Sequence, residues 1–191
     1  MYKRILIVST IIIMILAMID FGLSDKKEFT PTSNTSPPKE WVKFVPFTGK
    51  FTVYLPKTPK YAVDIVNVPN TDIQRWYEMY VSEEINGTVY LLNLISYGPD
   101  YPITDAKNIL HNVVNEIVAR NLSNRLTKLE DGKFQNQPAI FFQIENEPAE
   151  IKGVAFLDEK TVYQLTYTAL SENFEEQEYD EFIHSFQLSQ T

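Results

Sequence analysis

The sequence of 191 residues contains no cysteine. Disulfide bonds, thiolate metal ligands, cysteine nucleophiles and a lipid-modified cysteine are therefore excluded. The chain must be stabilised by its hydrophobic core alone, and hydrophobic residues make up 44% of the composition, with aromatic residues at 13%. This content is sufficient for one core and excludes a chain that is disordered throughout.

Glycine and histidine are scarce, which excludes the common nucleotide-binding and catalytic motifs. The six glycines are too widely spaced for a dinucleotide fingerprint or a P-loop, and neither G-x-S-x-G nor HExxH occurs. Carboxylate pairs are abundant, as in any acidic protein, and do not single out a glycosidase. The sequence thus predicts no catalytic residue, no cofactor and no metal ligand, and we expect a protein that is not an enzyme.

The formal net charge is −8. So acidic a surface repels nucleic-acid phosphates and anionic lipid headgroups, so we expect no nucleic-acid partner. Acidic residues cluster around the start of the last predicted helix. We interpret that cluster as complementing the helix dipole; binding of calcium or of a basic partner is the less favoured alternative.

The N-terminus resembles a targeting segment. Lys3 and Arg4 precede an apolar run over residues 5–19 that extends to Leu23 if Asp20 is tolerated. A cleaved signal peptide fits the Gly22-x-Ser24 pattern, and a retained membrane anchor fits the length of the run. Both alternatives place the rest of the chain outside the cytoplasm, in the periplasm, at the cell surface or secreted. Membrane contact is expected only through residues 5–23, and only if they are retained.

Residues 25–40 are rich in Ser, Thr, Pro and Lys and contain one aromatic residue. Such a composition buries too little apolar area to offset the entropy of ordering, which predicts a disordered linker after the targeting segment of residues 1–24. The remaining residues, 41–191, are predicted to form a single domain.

That domain is expected to be α+β, beginning with a strand at Phe51–Leu55 after a turn at Gly49-Lys50. Prolines 56 and 59 end this strand, and residues 57–61 are interpreted as an irregular crossing. Asn86-Gly87 lies between two strand-like runs, 73–83 and 88–97, and predicts a hairpin with a type I′ turn. Large side chains on both sides of the first run indicate a sheet covered on both faces.

Apolar residues at helical spacing predict a long helix over residues 104–121, capped by Thr104 or Asp105. Further strands follow, the first of them ending at Asp131-Gly132 and the last, 161–169, having an inner face with Leu165 and an outer face with Gln164. A C-terminal helix is predicted from Asn173, with Glu176 completing a capping box.

One loop, residues 97–102, is a candidate recognition site. Tyr97, Asp100 and Tyr101 lie on a segment stiffened by Pro99 and Pro102, and aromatic residues there can provide contact area at small entropic cost. The alternative, which we favour, is a rigid connection whose tyrosines cover the core.

The opening of the domain, with Trp41, Phe44 and the pattern Gly49-x-Phe51-x-Val53-x-Leu55-Pro56-x-x-Pro59, resembles exported bacterial domains of the PsbP/Mog1-like type. The predicted hairpin, the long helix and Phe186-Gln187-Leu188 follow in the corresponding order. The resemblance implies an antiparallel sheet with a long helix and a C-terminal helix packed on it. It also implies binding or assembly instead of catalysis, because the branches of that fold serve as photosystem accessory subunits or as a small-GTPase partner. No functional residue of either branch maps onto this sequence.

The function expected from these observations is binding of another envelope protein, or assembly with it, by an exported or membrane-tethered domain. A small-molecule or lipid carrier, with sheet aromatics lining a cavity, is the alternative. A carboxylate-dependent hydrolase is the weaker alternative, since it needs two acids converging in a cleft.

Overall fold

Ten β-strands and two α-helices make up most of residues 41–67 and 74–189, which are the residues that the computed structural model describes. The predicted targeting segment and linker lie outside these ranges. The strands are β1 (Val42–Phe44), β2 (Phe51–Leu55), β3 (Lys60–Asn67), β4 (Gln74–Glu83), β5 (Val89–Tyr97), β6 (Arg125–Phe134), β7 (Gln137–Asn146), β8 (Ala149–Asp158), β9 (Thr161–Leu170) and β10 (Gln187–Leu188). The helices are α1 (Ala106–Ala119) and α2 (Glu176–Ser185), and a 3-10 turn at Ser171–Asn173 precedes α2.

Seven strands form one antiparallel sheet in the order β3-β4-β5-β9-β8-β7-β6. The chain builds one edge with β3, β4 and β5, crosses to the far edge through α1, and returns strand by strand until β9 pairs with β5. Strands β1, β2 and β10 form a second, three-stranded sheet. The predicted α+β class is confirmed.

Each face of the large sheet carries its own buried cluster. On one face the aromatic residues of β5, β8 and β9 pack against β2 and α2. On the other face, β7 and β8 pack against Leu110, Val113 and Val114 of α1. The expectation that the sheet is covered on both sides is therefore confirmed, and the two cores explain why strands with large residues on both faces are stable here.

Helix α1 follows its sequence pattern closely. Asp105 is the N-cap, and its carboxylate accepts a hydrogen bond from the Asn108 N–H at 3.0 Å. This bond satisfies one of the free amide groups of the first turn. The predicted cap and apolar stripe are confirmed, and the helix is two residues shorter at each end than predicted.

The predicted capping box of α2 is wrong. Asn173 belongs to the 3-10 turn, and α2 begins at Glu176 with Glu175 at the N-cap and no side-chain cap bond. The cause is a tertiary contact, because Phe174 packs on Tyr167 with ring centroids 5.1 Å apart. The Tyr167 hydroxyl also accepts a hydrogen bond from the Glu175 N–H at 3.3 Å, so the chain stays extended past Asn173.

Two turns differ from the sequence-based prediction. Strand β6 does not end at Asp131-Gly132; the turn comes at Gln135 and Asn136, whose φ angles are 50° and 68°. The Gln135 side chain accepts a hydrogen bond from the Leu188 N–H at 3.1 Å, which holds the turn in place. The Asn86-Gly87 hairpin exists, but only Gly87 has a positive φ, so the turn is not type I′. Instead, Asn86 Oδ1 accepts the Thr88 N–H at 3.0 Å within a longer loop.

Strand β9 lies at the centre of the sheet, and the polar side chains predicted for its outer face are buried. Gln164 and Thr166 are 5% and 4% exposed. The Gln164 amide donates to Thr166 Oγ1 at 3.0 Å and accepts from Asn93 at 3.4 Å. Burial of these polar side chains is tolerated because they bond to one another.

Strand β3 was not predicted. The prolines do end β2, but the chain becomes regular again at Lys60 and pairs with β4 from Lys60 opposite Val81 to Asn67 opposite Gln74. The interpretation of residues 57–61 as irregular is therefore wrong for its last two residues.

A substitution at Gly153, in strand β8, tests how tightly the sheet is packed at this position. A Cβ atom there would lie 2.5 Å from Phe142 Cζ and 2.6 Å from the Leu165 carbonyl oxygen. Because the second contact is with backbone, Gly153→Ala is expected to lower the free energy of unfolding by roughly 1–3 kcal/mol. Urea denaturation measures the change. Gly98→Ala is the matched control, since its Cβ would meet Trp76 at an ordinary 3.6 Å, and equal losses in the two variants would contradict the account.

Candidate functional site

The loop singled out in the sequence covers the core. Tyr97 is buried and Tyr101 half-buried, their ring centroids lie 4.6 Å apart, and Asp100 is exposed. Lys160 Nζ donates to the carbonyl oxygens of Pro99 and Tyr101, the latter at 3.3 Å. The loop is thus held down by backbone contacts, and of the three predicted recognition residues Asp100 alone is fully accessible.

An exposed apolar surface lies elsewhere, on the edge strand β3. Tyr61, Val63 and Ile65 alternate along β3 and are 57%, 57% and 53% exposed. All three point to the sheet face on which β2 packs, because their cross-strand partners on β4 include Tyr80, whose ring contacts Phe51 of β2 at 5.6 Å. We call these three side chains, with the free backbone edge beside them, the β3 surface.

The backbone of the β3 surface is open to pairing. Alternate residues of an edge strand direct their N–H and C=O groups away from the sheet. The Ile65 N–H bonds to Asp64 Oδ1 at 2.8 Å and so lies on the open side. By the same alternation, Tyr61 and Val63 present their N–H and C=O groups on that side, where the described part of the chain places no other strand.

The β1–β2 hairpin extends this apolar region. The Phe44 ring contacts Tyr80, with ring centroids 5.4 Å apart. Lys50 Nζ lies 3.8 Å from the carboxylate of Glu78, and Glu78 is the cross-strand partner of Val63. Further exposed apolar side chains belong to the hairpin and the turn within it: Val42, Val45, Phe47 and Tyr54.

The opposite edge, β6, is protected by charge. Lys128 pairs with Glu130 at 3.1 Å and Arg125 pairs with Glu145. Asp131 accepts from Lys107 at 2.5 Å and contacts His111 Nε2 at 2.9 Å, and these two partners lower the pKa of the Asp131 carboxyl. Charges along an edge are one way in which sheets resist unwanted strand addition. Strand β3 also carries Lys60 and Asp64, but it differs from β6 in presenting three exposed large apolar side chains.

A groove of about 550 Å³ runs between α2 and strands β6–β8. Phe134, Phe141 and Tyr179 form apolar parts of its lining, and Lys152 crosses it to pair with Glu176 while lying 4.3 Å from the Tyr179 ring centroid. The aromatic residues of the sheet itself pack against one another, as Tyr90 and Tyr167 do at 5.3 Å. These aromatic residues fill the core, so a carrier function could not use the interior beside them; the groove is a candidate place for a ligand.

Two carboxylates do converge, but on a buried tyrosine. The Tyr90 hydroxyl lies 2.9 Å from Glu178 Oε2 and 3.3 Å from Glu84 Oε2, and the Tyr167 hydroxyl donates to Glu178 at 3.2 Å. Burial strongly raises the pKa of Tyr90. These acids satisfy the hydroxyl ends of core tyrosines, which is a structural role.

Sequence reasoning missed the β3 surface although its signal is present. Tyr61-x-Val63-x-Ile65 has the period of two that predicts a strand, and the prolines before it led to its interpretation as a loop.

Among the described residues, no group of three or more His, Asp and Glu side chains is placed to hold a metal ion. Neither described helix is long and apolar enough to cross a bilayer.

No protein-family model matches the sequence, and a search of curated proteins gave no match. Among solved structures, cyanobacterial PsbP (CyanoP) from Synechocystis sp. PCC 6803 is similar over 83% of this chain and 98% of its own, with a TM-score of 0.53 and 8% identity. A protein of unknown function from Pseudomonas aeruginosa, PA94, described as a putative regulator, covers 79% of this chain and 99% of its own, with a TM-score of 0.47 and 10% identity. The similarity to CyanoP shows that the chain has the PsbP-like fold that the resemblance implied.

Burial of Tyr97 predicts how the stability of the domain depends on pH. Desolvation raises the pKa of Tyr97 to about 12, although the nearby Arg75 guanidinium opposes the shift. The folded state thus keeps a proton that the unfolded state releases near pH 10, so stability is full below pH 10 and falls as the pH rises to about 12. The loss should be on the order of 1 kcal/mol per pH unit in this window. Urea denaturation at a series of pH values from 8 to 12 measures the free energy of unfolding. This free energy should fall less steeply with pH for Tyr97→Phe than for wild type, and equal slopes in the two proteins would contradict the prediction.

Proposed function

We propose that the chain is a non-enzymatic protein-binding domain and that it recognises its partner through the β3 surface. One observation carries the proposal: an edge strand that presents three exposed apolar side chains and free backbone groups on the same strand. Monomeric proteins normally blunt such an edge, as this chain does at β6. An exposed apolar patch with an open ladder is suited to strand addition by a partner.

The backbone and the side chains of the β3 surface would have different roles in binding. Backbone hydrogen bonds to a partner strand supply sequence-independent attraction, and the apolar side chains of Tyr61, Val63 and Ile65 select the side chains that face them. The neighbouring hairpin reaches the same region through Phe44, whose ring lies 5.4 Å from that of Tyr80, the cross-strand partner of Tyr61. Together these features support a protein partner over a small ligand.

Site-specific photo-cross-linking in the native cells tests the proposal. A benzophenone amino acid at position 63 of the full chain should give a discrete protein adduct on irradiation. Ile85 provides the matched control, because it is 106% exposed and lies in the β4–β5 loop, off the β3 surface. Absence of an adduct at position 63, or an equal adduct from position 85, would overturn the proposal.

The place of action is proposed to be outside the cytoplasm, in the cell envelope. The support is the charged and apolar order of residues 1–24 in the sequence. Cell fractionation with an antibody against the domain is expected to find it in the membrane or extracytoplasmic fraction. Recovery from the cytosol with residues 1–24 intact would contradict this location while leaving the β3 proposal untouched.

A further inference from the structure

The open part of the β3 edge has two well-defined ends. At one end, Pro59 has no N–H to offer a partner strand. At the other end, the N–H of Ile65 is already bonded to the Asp64 carboxylate at 2.8 Å. Between these ends, Tyr61 and Val63 supply the free backbone groups, and Ala62 is the residue at the centre.

Resting on the proposed function, we infer that the partner of the β3 surface is a second copy of this chain. The two β3 strands pair antiparallel about a two-fold axis through Ala62, and we call this assembly the β3 dimer. In this register Tyr61 lies opposite Val63 of the second copy, and the two limiting positions, 59 and 65, also lie opposite each other. The ends of the open edge are thus matched by the symmetry itself.

The same register brings opposite charges together. Lys60 lies opposite Asp64 of the second copy, and the two-fold axis generates a second, identical pair. Lys60, Ala62 and Asp64 alternate with the apolar residues and therefore share the other sheet face. Within the described residues neither Lys60 nor Asp64 has an ion-pair partner in its own chain. The small Ala62 side chains at the axis leave room for both pairs.

The apolar face of the strand is covered in the same step. Tyr61 and Val63 meet Val63 and Tyr61 of the second copy, an aromatic and β-branched cross-strand pair that stabilises antiparallel sheets. The pairing joins two seven-stranded sheets into one and removes the free edge from both copies.

A register shifted by two residues, with Val63 on the axis, fits less well. It places Tyr61 opposite Ile65 and requires the Ile65 N–H to leave the Asp64 carboxylate. It also sets Lys60 opposite Val66, so that neither charge gains a partner. The charge pattern therefore selects the axis through Ala62.

Charge reversal tests the β3 dimer and its register together. The full chain, purified in detergent if residues 5–23 are retained, is studied by sedimentation equilibrium over a range of concentrations. Wild type is expected to show a monomer–dimer equilibrium. K60D and D64K should each weaken the dimer roughly tenfold or more, because each creates two like-charge pairs across the axis. The double variant K60D/D64K restores opposite charges and should recover wild-type association.

A mixture of the two single variants gives a sharper test. In a heterodimer of K60D with D64K both cross-strand pairs are again of opposite sign, so mixing two weakly associating proteins should produce a dimer. K57D is the matched control, since Lys57 is exposed and lies before β3, and it should leave association unchanged. Thermal unfolding of each variant shows that it is folded.

Three results would overturn the β3 dimer: a wild type that stays monomeric at every concentration, variants that associate like wild type, or failure of both the double variant and the mixture to recover. The cross-linking experiment separates this outcome from failure of the proposed function. An adduct of position 63 with a different protein, together with a monomeric chain, would refute the second copy as partner and retain the β3 surface as a binding site.

Discussion

Pairing of β5 with β9 is the interaction on which the rest of the domain depends. It joins the β3–β5 unit to the β6–β9 unit, through a ladder from Val89 opposite Thr168 to Ser96 opposite Thr161. Tyr90 and Tyr167 lie opposite each other in this ladder, and their hydroxyl groups both reach Glu178 of α2. The same pairing therefore fixes the sheet, one core and the position of the C-terminal helix. The C-terminal helix thus covers a face that exists only once this long-range contact has formed.

Sequence patterns predicted the elements that local chemistry determines. The α1 stripe and the Asp105 cap need only residues within a few positions of each other. The errors have tertiary causes. The start of α2 is set by Tyr167, and the β6–β7 turn is held by the C-terminal segment that bonds to Gln135. Neither contact can be inferred from residues that are adjacent in the sequence.

The candidate site was harder to predict than the fold. Tyr97 and Tyr101 have the composition of a recognition loop, but Lys160, which lies far away in the sequence, holds their backbone against the sheet. The β3 surface has a clear alternating pattern, and yet the pattern does not say which strand becomes an edge. Edge position follows from the order of the whole sheet, which depends on the β5–β9 pairing. The surface proposed for binding thus depends on a property that only the assembled topology creates.

The central position of β9 has a consequence for how the chain folds as it is synthesised. Strands β3, β4 and β5 emerge first, and the inner side of β5 then lacks its partner until residues 161–170 follow. During that interval the unit exposes a second unpaired ladder, beside the apolar side chains of Leu92 and Leu94. Vectorial synthesis therefore creates a transient species with two open edges, and such species are prone to misassembly. A chaperone that holds extended chains would act most effectively between the appearance of β5 and that of β9.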